Sequence, residues 1–224
     1  MPLRQGKKGL TDMFKGAIFD QDGLLFDTEV TYQRAWIEAG RRLGREIDPA
    51  VPRTFCGISP DGIKEIVRRT YPDIDVDAYC SLAPQISWSE QLSSVPVKKK
   101  GLDEMLAFCK ANGIRTAVAS SSVRRVVEHN LTTSGVRDFF DAVVTGDEVE
   151  HGKPAPDIFV LAANRLGLDP HDCCVFEDAF SGIKGANAAG CGAVLVPDQV
   201  RPTDEIRSIC SVFPDLAGAI AALR

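Results

Sequence analysis

Two aspartates one residue apart, Asp20 and Asp22, close the apolar run "GAIF" at 16–19, and a second acid pair, Glu177 and Asp178, closes the run "CCVF" at 173–176. In an extended segment side chains alternate, so Asp20 and Asp22 project to one side while Gln21 turns to the other. Crowded carboxylates repel each other, by roughly 4 kcal/mol at ~4 Å and an effective dielectric of about 20, so positive charge must stand beside them. If the two strands are neighbours, four carboxylates converge and a hard divalent cation answers the requirement: Mg2+ prefers oxygen ligands and keeps waters and substrate phosphate in its shell. Each pair alone has a plainer reading. Asp22-Gly23 is a common turn dipeptide, and acids ahead of "AFSGIKGANAAG" at 179–190 would suit a helix N-terminus. Capping explains one acid but not four.

Two further strand ends carry candidates. Ser120, Ser121 and Ser122 follow "RTAVA" and precede a helix predicted over Val123 to Leu131. A hydroxyl beside free helix amides makes a phosphate seat. Serine is also a strong N-cap, which assigns Ser122 to the helix and leaves Ser120, with Ser121 next to it, at the strand end. Lys153, in "GKPAPDIF", is held in place by Pro154 and Pro156, which restrict the backbone around it.

These residues need a scaffold that gathers strand ends. Five short apolar runs, "GAIF", "RTAVA", "AVVT" at 142–145, "CCVF" and "AVLV" at 193–196, are continuous rather than alternating, as parallel strands covered on both faces are. Helical stripes separate the later ones: Leu102, Met105, Leu106 and Cys109; then Val123, Val126 and Val127; then Phe159, Ala162, Ala163 and Leu166. The alternation predicts a doubly wound, Rossmann-like α/β core with a mostly parallel sheet, whose ligands bind beyond the carboxyl ends of the strands. About 95 residues separate the first run from the second, far more than a crossover helix needs. Stripes at Tyr32, Trp36, Ala39 and Leu43, and at Ile63, Ile66 and Val67, make most of that stretch helical. The predicted organisation is a core of residues 1–28 and 96–224 with an inserted helical cap domain at 29–95. The lysines of "VPVKKKG" (95–101) read as a solvated return linker.

Composition narrows the functions. A net charge of −5 gives no general attraction for nucleic acid or anionic membrane but leaves room for a local pocket that holds a small anion. The seven cysteines, 56, 80, 109, 173, 174, 191 and 210, contain no C-x-x-C and are odd in number, which suits buried reduced thiols and a cytoplasmic protein. The opening "MPLRQGKKGLTDM" lacks the apolar stretch of a signal peptide, and Met13 is an alternative start. Histidines 129, 151 and 171 show no metal spacing; His151 stands two residues from Lys153.

"FDQDGLLFDTE", "AVASSS", "GKPAPDIF" and "VFEDAFSGIKGANAAG" resemble, in order and spacing, the four motifs of the haloacid dehalogenase superfamily, and the helical insert resembles its C1-type cap. The likeness runs from Phe14 to Val196 and is nearest to the β-phosphoglucomutase-like branch of small phosphatases and mutases. It implies Asp20 as nucleophile and Asp22 as acid/base. Ser120, Ser121 and Lys153 would hold phosphate, with Thr28 and Glu29 opening the hinge and Thr28 near substrate. A Mg2+ site would be built from Asp20, Glu177, Asp178 and the backbone carbonyl of Asp22. The expected activity is Mg2+-dependent hydrolysis of a small phosphorylated metabolite, such as a sugar or polyol phosphate, through an aspartyl phosphate. The chain is expected to act as a monomer or weak homo-oligomer, without nucleic acid or membrane partners.

Several positions depart from that pattern. Gln21 replaces an apolar residue, and Ala179 replaces a serine that would donate a hydrogen bond. In the loop "FCGISPDG" (55–62), Pro60 stands where the mutase carries an arginine for a second phosphate; Ile58 and Ser59 are weak specificity candidates. Tyr32 replaces a cap histidine. A mutase must grip both ends of a bisphosphate, and losing a bidentate cation argues for hydrolysis instead. Three alternatives remain: a sugar-phosphate mutase, a phosphorylated signalling module like a response-regulator receiver, and a metabolite-binding protein without catalysis. Against the receiver, its phospho-acceptor would follow a later strand, and it has no use for the insert.

Overall fold

The computed structural model describes residues 14–55, 58, 60–198 and 201–223. Ser59, Cys56 and Met13 lie outside them. Strands β1 (Gly16–Phe19), β2 (Arg115–Ser120), β3 (Ala142–Thr145), β4 (Cys173–Glu177), β5 (Gly192–Leu195) and β6 (Ser211–Val212) form one parallel sheet in the order β3-β2-β1-β4-β5-β6. All five apolar runs are strands within a residue of their expected bounds. The sequence carries no signal for β6, because two residues have no periodicity.

Both faces of the sheet are covered, which is why the strands lack alternation. Helices α5 (Leu102–Ala111), α6 (Arg124–Thr133) and α10 (Leu216–Leu223) bury Met105, Leu131 and Ile220 against one face with Phe19 and Phe176. Helices α7 (Asp157–Arg165), α8 (Phe180–Ala188) and α9 (Asp204–Ile209) bury Phe159, Ile183 and Ile206 against the other, with Ile18 and Val175. Burying each such side chain favours folding by roughly 1.5–3 kcal/mol. The six described cysteines form no disulfide, and burial raises their thiols.

Between β1 and α5 the chain leaves the sheet and builds α1 (Glu29–Arg42), α2 (Ala50–Arg53), α3 (Pro60–Thr70) and α4 (Val76–Gln91) around a separate apolar cluster. Trp36 is its centre, 4.9 Å from the Phe55 ring and 5.1 Å from that of Tyr79. Of the expected α1 stripe, Trp36 and Ala39 are buried there, whereas Leu43 is exposed and Tyr32 turns towards the sheet's carboxyl edge. Asp75 caps α4 by accepting the Ala78 amide at 3.0 Å. Outgoing and returning chains run side by side: Asp27 N–H donates to the Val97 carbonyl and Lys99 N–H to that of Leu25, both at 2.9 Å. The linker lysines are not simply solvated. Lys98 pairs with Asp103, Lys99 with Asp198 and Lys100 with Asp215, each at 2.7 Å, which fastens the return strand to the core. No described helix is long and apolar enough to cross a membrane.

Candidate active site

Register brings the chemistry together. β1 lies between β2 and β4, with Phe19 opposite Val118 and Phe176, so Asp20, Ser120 and Glu177 emerge at one edge of the sheet. The neighbouring strands that four converging acids require are therefore present. Lys153 reaches in from the loop before α7 and donates to Asp20 Oδ1 at 2.5 Å, Glu177 Oε1 at 2.6 Å and the Ala119 carbonyl at 3.0 Å. The side chains of Lys153, Asp20 and Glu177 are only 7%, 9% and 1% exposed. Burial alone would lower the Lys153 ammonium, but the two carboxylates override it and hold the group charged well above its ordinary range.

One cation faces several acids. Burial raises Asp20, and Lys153 opposes that shift while Glu177 and Asp22 add to it. Asp178 is raised chiefly by burial and then by Glu177 and Asp20. One oxygen each of Asp20, Glu177 and Asp178 lies within 4.8 Å of the other two. Uncompensated buried carboxylates are costly, and three hard oxygens at that separation fit a small divalent cation. They do not contribute equally. Both Glu177 oxygens are engaged, Oε1 by Lys153 and Oε2 by the Ala179 amide at 2.9 Å, whereas the Asp178 carboxylate has no hydrogen-bond partner among the described residues.

The Asp22 carboxylate lies outside that cluster and does not join the other three acids, which leaves only its backbone carbonyl as the expected ligand. Thr28 donates to Oδ1 at 2.9 Å, and Ser122 donates to Oδ2 at 2.8 Å with Ser120 at 3.4 Å. Burial raises its pKa, and the Ser122 and Thr28 hydrogen bonds work against the rise. Two glycines make the close packing feasible. Gly23 has φ +83°, and a Cβ there would lie 2.3 Å from Asp178 Oδ2; at Gly182, in α8, it would lie 1.9 Å from Glu177 Oε1.

The serine run is used differently from its sequence reading. Ser122 does not cap α6: Val123 holds the N-cap position, and Asp147 accepts the Arg124 amide at 3.3 Å from across the β3–α7 connection. Ser122 instead serves Asp22. Ser120 is fully buried and accepts the Ser122 amide at 3.1 Å, so Ser121 is the serine that lines the adjoining cavity. The Thr28 hydroxyl is likewise committed to Asp22. His151 pairs with Asp157 at 3.1 Å on the surface. Gln21 is completely buried, yet neither polar atom of its carboxamide makes a hydrogen bond of ordinary geometry.

A cavity of about 230 Å³ opens over Asp20, Asp22, Lys153 and Asp178, roofed by Tyr32, Trp36, Phe55 and Ile58. It adjoins a cavity of about 640 Å³ that continues between α3 and α4, past Ile63, Trp88, Lys64 and Asp77. Tyr32, Trp36, Ile58 and Ser121 line both. Lys64 is bonded to Asp77 at 2.7 Å.

The family model for haloacid dehalogenase-like hydrolases matches residues 14–190. The chain is 37% identical over 187 residues to the fructose-1-phosphate phosphatase YqaB of Escherichia coli (strain K12), an alignment covering 83% of this chain and 97% of that protein. It is 31% identical to hexitol phosphatase B of the same strain, covering 81% and 82%. Among solved structures, the β-phosphoglucomutase of Clostridium difficile superposes with a TM-score of 0.72 at 25% identity, covering 91% and 92%.

Proposed function

The chain belongs to the haloacid dehalogenase-like hydrolases as a phosphoric monoester hydrolase, and from that premise we propose that it is a Mg2+-dependent phosphatase of sugar or polyol monophosphates working through an aspartyl phosphate at Asp20. The observation that carries the reading is the buried cluster itself: Asp20 touches Lys153, shares a pocket of oxygens with Asp178, and faces a cavity beneath the helical segment. Asp20 and Asp178 would hold the ion through carboxylates, Asp22 through its carbonyl, and Glu177 would orient Lys153. When bound, Mg2+ supplies charge neutralisation for the carboxylates and for the phosphoryl oxygens.

An Asp20 oxygen attacks phosphorus, the bond from phosphorus to the alcohol oxygen breaks, and Asp22 gives that oxygen its proton. Water then attacks the same phosphorus, Asp22 takes back a proton, and the bond to Asp20 breaks to release inorganic phosphate. Lys153 and the Ser121 side of the cavity hold the phosphoryl oxygens, where electrostatic stabilisation carries most of such reactions. Residues 29–95 act as a cap that keeps bulk water out during the first step.

The substrate class rests on two supports. Relatives named as fructose-1-phosphate and hexitol phosphatases share most of the chain's length. In the cap half of the cavity the one lining cation among the described residues is Lys64, which is paired with Asp77 at 2.7 Å, so a second phosphate would find no bidentate arginine there and would have to displace that carboxylate. A mutase must grip that phosphate. The test is phosphate release from a panel of monophosphates with and without Mg2+, with Asp20→Asn as control. Release confined to the unaltered, Mg2+-supplied protein is expected; isomerised product stimulated by a bisphosphate would replace the reading with the mutase.

A further inference from the structure

Ser122 and Tyr32 have no part in the mechanism above, yet they form a chain of hydroxyls that ends on its acid/base group. Ser122 Oγ lies 2.8 Å from Asp22 Oδ2, and the Tyr32 phenol lies 3.4 Å from Ser122 Oγ. The donor order follows from chemistry. Once Asp22 has given up its proton its carboxylate only accepts, so in that state Ser122 donates to Asp22 and its oxygen accepts from Tyr32. Ser122 cannot drift, because its amide is held by Ser120 Oγ at 3.1 Å and its carbonyl by the Gly146 amide at 3.2 Å. Tyr32 comes from the other side of the molecule's cleft, on the first turn of α1. Thr28, which donates to the second oxygen of Asp22, precedes it by four residues, and the Tyr32 amide donates to the Thr28 carbonyl at 3.0 Å. Residues four apart share a helix face, so one turn of α1 meets the carboxylate twice, directly and through Ser122.

We propose that Tyr32 is a positioning residue that acts through Ser122, so that Asp22 is held for proton transfer only while the first turn of α1 is seated against the core. The hydroxyl pair belongs to two different structural layers joined by the hinge, and withdrawing α1 removes the Thr28 and Tyr32 contacts together. Each hydrogen bond in such a chain strengthens its neighbour. This inference rests on the phosphatase reading and adds to it a condition on when Asp22 works.

The experiment is a double-mutant cycle in turnover, using Tyr32→Phe, Ser122→Ala and the double variant on the best substrate of the panel. Tyr32→Phe keeps the ring and is expected to lower kcat roughly three- to tenfold, and Ser122→Ala roughly ten- to a hundredfold, each with KM within about twofold. Because Tyr32 acts through Ser122, the double variant should be no slower than Ser122→Ala alone. Tyr32→Phe that slows the Ser122→Ala background by the same factor as the parent, raises KM instead of lowering kcat, or leaves kcat unchanged overturns the proposal. Turnover by the parent, abolished in Asp20→Asn, establishes the underlying reading independently; no turnover by the parent on any substrate overturns both.

Discussion

Lys153→Met keeps the length of the side chain and removes its charge, which isolates what the ammonium does for the fold from what it does for the reaction. In the metal-free protein the ammonium is the counter-charge for Asp20 and Glu177, at 2.5 and 2.6 Å, inside a pocket where the three side chains are at most 9% exposed. Without it, at least one carboxylate must stay charged and unpaired or take up a proton. Holding a carboxyl of ordinary pKa near 4 in its protonated form at pH 7 costs about 4 kcal/mol, roughly three pH units at 1.36 kcal/mol each. Breaking a buried pair by removing one partner costs about 3–5 kcal/mol by comparison with other proteins. The two routes agree, and the expected loss of about 3–5 kcal/mol is a large share of the roughly 5–15 kcal/mol that holds a domain folded.

Urea unfolding in the presence of a chelator measures the loss. The sign with pH is determined. A carboxyl whose folded pKa is raised destabilises the fold progressively as pH climbs from its unfolded value to its folded one, so the gap between variant and parent should narrow as pH falls from 7 towards 4. Millimolar Mg2+ should recover part of it, since the ion binds the assembled site and not the unfolded chain. A loss under about 1 kcal/mol at pH 7, or a gap that widens in acid, would refute the claim that these charges are buried and mutually compensated. Turnover should fall at least a hundredfold even where Mg2+ restores the fold, because a preorganised donor to the phosphoryl oxygens is gone.

Three other outcomes follow from single contacts. Asp178→Asn should raise the Mg2+ concentration needed for half-maximal turnover at least tenfold, read by metal titration after chelation, because the Asp178 carboxylate has no competing partner among the described residues. Gln21→Leu should raise stability by about 1–3 kcal/mol in urea unfolding, since it replaces a buried carboxamide that makes no ordinary hydrogen bond with an apolar group of similar size. Gly182→Ala should lower kcat at least tenfold while the protein still unfolds cooperatively, because the new methyl would occupy the space of Glu177 Oε1 and push that carboxylate off Lys153.

Legibility followed the range of the interactions. The five apolar runs were readable because each strand is buried on both faces, so its hydrophobicity is continuous and local. Asp20, Asp22, Glu177 and Asp178 were readable because a strand end is a fixed distance from its last apolar residue, and one adjacency, β1 beside β4, converts two local signals into one site. Lys153 was readable through its flanking prolines. In each case the information lay within a few residues of the group concerned.

The serines show where that stops. A serine ahead of a helix is an N-cap by every local rule, yet Ser122 is diverted because Asp147, from another loop, satisfies the Arg124 amide and leaves the hydroxyl for Asp22. Two groups competing for one donor across 23 positions of chain leave no mark in either segment's composition. Tyr32 is the same problem at greater range. Its place in an apolar stripe with Trp36 and Ala39 assigns it to the cap core, but Tyr32 lies one turn nearer the start of α1, where the same face looks onto the sheet edge and the phenol meets Ser122 and not the helical cluster. Periodicity describes a helix with one partner. The start of α1 has two, the cap core and the sheet's carboxyl edge, and a residue at such a seam carries the pattern of one partner while its polar end meets the other.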